Sequence, residues 1–100
     1  MIKHIVAWTF TGEGTDKDAS VDRVIELLTR CATLPGVVEL KLIKPQPGLE
    51  ASFDLLLDST FTDAQALADY AVHPLHKEAG AYIASVRTGR WAFDYDPAQA

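Results

Sequence analysis

The sequence predicts an α+β domain in which a four-stranded antiparallel sheet carries its helices on one face, in the order β-α-β-β-α-β. Three observations lead there. Four stretches alternate apolar and polar residues with period two, and others space apolar residues at helical intervals. Segments such as "LPG" and "PQPG" punctuate the joins. With 100 residues, 48% of them hydrophobic and 23% charged, the chain has the size and make-up of one globular domain.

The first strand spans residues 2–10. Ile2, His4, Val6, Trp8 and Phe10 fall on one face, and Lys3, Ile5, Ala7 and Thr9 on the other. "TGEGT" is a loop, and Thr15 with Asp18 three positions on resembles a capping box. Val21, Val24, Ile25, Leu28 and Ala32 then recur at helical spacing, which predicts a helix over 16–33 with Asp22, Arg23, Glu26 and Arg30 outward. Pro35 and Gly36 end it. "VVELKLIK" alternates again with Val38, Leu40 and Leu42 together, and "PQPGLE" is a turn.

Residues 51–61 form the third strand, with Ala51, Phe53, Leu55, Leu57 and Phe61 on one face and Asp54, Asp58 and Thr60 on the other. Leu56 interrupts the polar face, so that face is covered in part. Thr62 with Gln65 forms a capping box for the second helix, which carries Leu67, Ala68 and Ala71. The helix breaks at His73, because the residue before a proline is pushed out of helical geometry. Pro74 suits the first position of a new helical segment reaching Ala84. "SVRTGRWAFDY" is the last strand, with Trp91, Phe93 and Tyr95 on one face; "DPAQA" is a frayed end. The domain therefore covers 1–96, with 97–100 as a tail.

This order is the ferredoxin-like sandwich, with its second helix broken at Pro74. The sheet's other face should not be bare. Ile5, Ala7, Val37, Ile43 and Leu56 lie on the phases opposite the main apolar rows and would form an exposed apolar patch. Packing two such sheets face to face buries them in a two-fold homodimer, a dimeric α/β barrel.

Composition excludes several function classes. The formal charge is -5, and Lys and Arg are scattered singly, so nothing provides the clustered cations that nucleic acid requires. The apolar opening "MIKHIVAWTF" is too short for a membrane span and unlike a signal peptide. The lone Cys31 rules out an intramolecular disulfide and reads as a packed thiol; the expected location is the cytoplasm. No Gly-rich phosphate loop and no nucleophile elbow is present.

The chemistry concentrates in "YAVHPLHKEAGAYI", residues 70–83. His73, beside Pro74, has the position of a helix cap. His76 stands near the third position of the segment that Pro74 starts, within reach of Tyr70. A histidine there can take a proton next to a carbonyl while a tyrosine hydroxyl orients it or polarises the oxygen. The alternative is a helix-start histidine bonded to local backbone. His4, in the row with Val6, Trp8 and Phe10, is either a satisfied core histidine or a pocket residue. His73 and His76 do not make a metal pair: Pro74 puts His73 in different geometry, and no third ligand is fixed by spacing. No metal and no cofactor is expected.

"MIKHIV", "LPGV", "YAVHPLHKEAGAYI" and the closing "FDY" together resemble the stress-responsive dimeric α/β-barrel (Dabb) family over residues 2–95. The resemblance implies the ferredoxin-like dimer barrel. In a plant member that closes a polyketide by aldol chemistry without a cofactor, the catalytic histidine corresponds to His76. Its tyrosine partner corresponds to Tyr70 and a pocket histidine to His4. Trp8, His73 and Leu27 are candidate substrate contacts, and Leu27 stands where that plant relative has an aromatic pocket residue. Some plant relatives hold a hard cation through backbone carbonyls, at positions matching Cys31, Leu34 and Val37. Three readings follow: a small-molecule binding protein with a link to stress, a cofactor-independent lyase or cyclase with His76 as base, and a cofactor-free monooxygenase.

Overall fold

The computed structural model describes residues 1–100. Its elements are β1 (Ile2–Phe10), α1 (Gly14–Thr29) with a 3-10 turn at Arg30–Thr33, β2 (Val37–Ile43), β3 (Leu55–Phe61), α2 (Ala64–Val72), α3 (Pro74–Val86) and β4 (Arg87–Tyr95). One four-stranded sheet has the order β2-β3-β1-β4, and every pairing is antiparallel. No helix is long and apolar enough to cross a membrane.

The central strand β1 is paired along both edges, so its alternation is rigidly expressed. Val6, Trp8 and Phe10 enter the main core with Leu55 and Leu57 of β3, Val21, Val24, Leu27 and Leu28 of α1, and Ala79 and Ile83 of α3. A smaller cluster gathers Cys31, Phe61 and Tyr70, with Leu34, Val37 and Leu75 against it. Ser59, opposite His4, is a fully buried polar residue; its hydroxyl donates to the His4 carbonyl at 2.7 Å, which satisfies both groups.

Several local expectations are corrected. Helix α1 begins after Glu13 rather than at a Thr15 cap, and its last turn tightens into the 3-10 segment, so the predicted 16–33 helix is two geometries. Val37 and Val38 exchange faces. A bulge lies between the Val37–Phe61 and Glu39–Thr60 pairs, so Val37 packs inward on the Cys31 cluster while Val38 is exposed. Strand β3 starts at Leu55, not at residue 51. Asp54, freed from the strand, accepts from the Phe10 amide at 2.8 Å and stands 3.5 Å from Lys17 Nζ, instead of facing outward with Asp58.

Helix α2 is capped by Asp63, whose side chain accepts from the Ala66 amide at 2.8 Å, where Thr62 was expected to act. The break before Pro74 occurs as the sequence demands. His73 has extended backbone (φ -66, ψ 140) and caps α3 by accepting from the Leu75 amide at 3.1 Å. Helix α3 runs two residues past Ala84, so β4 starts at Arg87 rather than at Ser85. The expected frayed end instead forms a 3-10 turn at Pro97–Gln99, capped by the Asp96 side chain.

Gly36 carries the "LPG" turn with φ 81, and a Cβ there would lie 2.4 Å from the Ala66 Cβ. Gly36→Ala should therefore cost at least about 2 kcal/mol, combining the left-handed penalty with overpacking. Urea denaturation of the two proteins under identical conditions checks it.

Candidate functional site

The inner face of β1 continues beyond the core to His4, and the N-terminal turn of α3 carries His76 above it. Between them lies a cavity of about 150 Å³. Its floor is apolar and buried, made by Val6, Trp8, Leu28, Leu57 and Ile83. His4, His76 and Gly80 form its sides, and the exposed Arg87 and Arg90 of β4 stand with Ala84 at its open end. The sheet register explains these neighbours: Asp94, Ala92 and Arg90 pair with His4, Val6 and Trp8. A bulge between Thr9 and Phe10 then sets Arg87, not Thr88, opposite Phe10, and so turns a second arginine to the inner face.

Each histidine is held at Nδ1. His76 Nδ1 lies 3.1 Å from the Ala71 carbonyl oxygen, which can only accept, so the ring donates and Nε2 keeps the lone pair of the neutral form. His4 Nδ1 lies 2.5 Å from the Asp94 carboxylate. Burial holds the His76 pKa below the usual histidine range; the bond to Ala71 opposes that shift, and the charges of His4 and Arg90 add to it. The imidazole is therefore neutral around pH 7.

The sequence-predicted residues divide. The structure brings His4, Trp8 and His76 to one cavity. Tyr70 meets His76 ring against ring, at 4.5 Å between centroids, but it does not border the cavity. Its hydroxyl is buried without a hydrogen-bond partner, and burial, with the nearby Cys31, pushes its pKa up. His73 is occupied as a cap, and Leu27 is core; its neighbour Leu28 reaches the cavity instead. The carbonyls of Cys31 and Leu34 accept from the amides of Leu34 and Val37, at 3.1 Å each. No group of three or more His, Cys, Asp or Glu side chains gathers at distances suited to a metal ion. Arg87, Arg90 and Asp94 were not singled out from the sequence. Asp94 was legible only as part of "FDY", and nothing local signals that it pairs with His4.

A larger depression of about 440 Å³ lies at the β2–β3 connection, lined by Ile43, Leu49, Phe53 and Leu56 among others. Its lysine, Lys44, is engaged by Asp22 at 2.7 Å, and no histidine lines it. Convergent polar groups over an apolar floor make the smaller cavity the candidate site.

The sequence profile of the stress responsive A/B barrel domain matches residues 2–97. No curated protein matches the chain. Among solved structures, a dimeric ferredoxin-like protein of unknown function from Jannaschia sp. CCS1 is similar at 30% identity and TM-score 0.77, covering 95% of this chain and 97% of that one. A dimeric protein of unknown function from Bacteroides fragilis NCTC 9343 shares the fold at 22% identity and TM-score 0.82, with 95% and 94% covered. A Dabb family protein from Mesorhizobium loti does so at 18% identity and TM-score 0.71, with 96% and 95% covered.

The lowered His76 pKa fixes a sign. Between the folded pKa and the unfolded value near 6.5, the unfolded chain binds more protons, so stability falls as pH drops through that window. His76→Gln should remove this component, making the loss of Tm between pH 7.5 and pH 5 smaller by on the order of a few °C. Thermal melts of both proteins across that range check it.

Proposed function

The chain belongs to the stress responsive A/B barrel domain family, and we propose that it holds a small organic molecule in the cavity between its sheet and helices. The observation that carries this is the cavity itself, where an apolar floor meets two histidines from distant parts of the chain. Trp8 borders the space, and its Nε1 is buried without a protein partner. A link to stress enters with the family. The free, buried Cys31 supports a reducing, cytoplasmic setting.

The test uses Gly80, where an added Cβ meets nothing within 4 Å. Gly80→Leu should project into the cavity it lines and leave stability unchanged or raise it by about 0.5–1 kcal/mol, since glycine is a poor helix former. In a thermal-shift screen of small organic compounds, hits should raise the Tm of the parent protein and not of Gly80→Leu. Equal shifts in both proteins would discard the cavity as the site.

A second reading is favoured by one feature: the bond from His76 Nδ1 to Ala71 leaves Nε2 as a neutral base. His76 then serves as the general base of a cofactor-independent lyase or cyclase, with His4 assisting and the Tyr70 ring orienting it by packing. For a substrate found by the screen, His76→Ala should lower turnover by about 10²–10⁴-fold while ligand affinity is kept. Turnover that consumes oxygen would instead mark a monooxygenase.

The same reading includes a homodimer through the outer sheet face. Ile43, Leu56, Ala7 and Trp91 lie in one register row across all four strands, and Ile5 and Phe93 stand beside it. Trp91 and Phe93 are 52% and 70% exposed, more aromatic surface than a lone sheet face tolerates. Light scattering should give twice the chain mass for the parent and the single-chain mass for Trp91→Lys with Phe93→Glu. A monomeric parent at micromolar concentration would end the dimer reading.

A further inference from the structure

We propose that the cavity is specific for an organic monoanion, with the apolar body of the ligand on the floor and its carboxylate held at the mouth by Arg87 and Arg90. The inference rests on the binding reading above and names the chemical class that the site selects.

The charge pattern of the whole chain carries it. Lys3, Lys17, Arg23, Arg30, Lys41 and Lys44 each pair with a carboxylate within 4 Å. Lys77, Arg87 and Arg90 do not, and of these the two arginines border the same cavity. Acidic residues outnumber basic ones, 14 against 9, so two unpaired arginines at one cavity are a local feature and not a consequence of composition. No acidic residue lines the cavity, and Asp94, which faces His4 across the strand pair, is engaged by it. The β1–β4 bulge sets Arg87 opposite Phe10, so it borders the same cavity as Arg90, and the guanidinium is the planar donor fork that a carboxylate takes.

Size and polarity complete the specification. A cavity of about 150 Å³ holds a body of roughly benzene size. The floor offers apolar side chains and no acidic group, so nothing there welcomes a cation. A bare inorganic anion would leave the floor unfilled.

The experiment compares matched probes: benzoate with benzamide, and pentanoate with pentanamide, titrated into the full chain and followed by amide NMR. The carboxylates should bind at least about tenfold tighter than their amides at low ionic strength, and the preference should shrink as salt is added. Arg87→Gln and Arg90→Gln should each weaken carboxylate binding by about tenfold and leave the amides unchanged. Arg90→Lys should restore part of the loss. Both arginines are exposed, so the variants keep the fold, which their spectra report directly. Amides binding as well as carboxylates, or an undiminished preference in the double glutamine variant, would overturn the inference while the binding reading stands. Sulfate competing as strongly as benzoate would reduce the site to a bare anion cradle and overturn it likewise. Failure of all four probes at millimolar concentration would overturn the inference, while the binding reading is decided by the Gly80→Leu comparison.

Discussion

The pairing of β1 along both of its edges is the constraint on which the rest of the molecule depends. A strand hydrogen-bonded to β3 on one side and β4 on the other cannot slip by one residue without moving every side chain to the wrong face. Its alternation therefore serves two surfaces at once. The inner row supplies Val6, Trp8 and Phe10 to the core and His4 to the cavity; the outer row supplies Ile5 and Ala7 to the apolar face. A polar residue within an otherwise apolar row is tolerable only with partners. His4 has them in Asp94 at its ring, in the edge of Phe61, and in Ser59, which donates to its carbonyl.

The second structural device is the break between α2 and α3. The helical direction has to change so that Tyr70 packs into the Cys31–Phe61 cluster while the next helix lies over the main core through Ala79 and Ile83. Pro74 enforces the change by excluding helical geometry at His73, and His73 satisfies the amide exposed by the new start. His76 thus arrives at a helix beginning, where the Ala71 carbonyl is available to orient its ring. A continuous helix would have consumed that carbonyl in its own ladder. The cavity is the gap left where α1, α3 and the sheet do not fill one another.

How much was legible from residues alone depended on whether the information was periodic. Alternation correctly placed His4, Trp8, Leu55 and Leu57 on the inner face and Ile5, Ala7, Ile43 and Leu56 on the outer. It failed at the two bulges, where one extra residue reverses the phase. Val37 and Val38 exchanged faces, and Arg87 came to the cavity although "SVRTGR" has no pattern that says so. Caps moved by a residue or two because Thr15 and Thr62 compete with neighbours equally able to start a helix, and the chain path beyond them decides which carries the role.

The sequence by itself determined the element order, the broken helix and the existence of a second apolar face. These follow from local periodicity and from the geometry of proline, which act over a few residues. Tertiary structure alone decided the site. The joining of His4 to Asp94, the removal of Tyr70 and Leu27 from the cavity lining, and the meeting of Arg87 and Arg90 at one mouth are contacts between distant segments. They depend on register and bulges, and a one-residue shift in either would have dispersed the same side chains over both faces of the sheet.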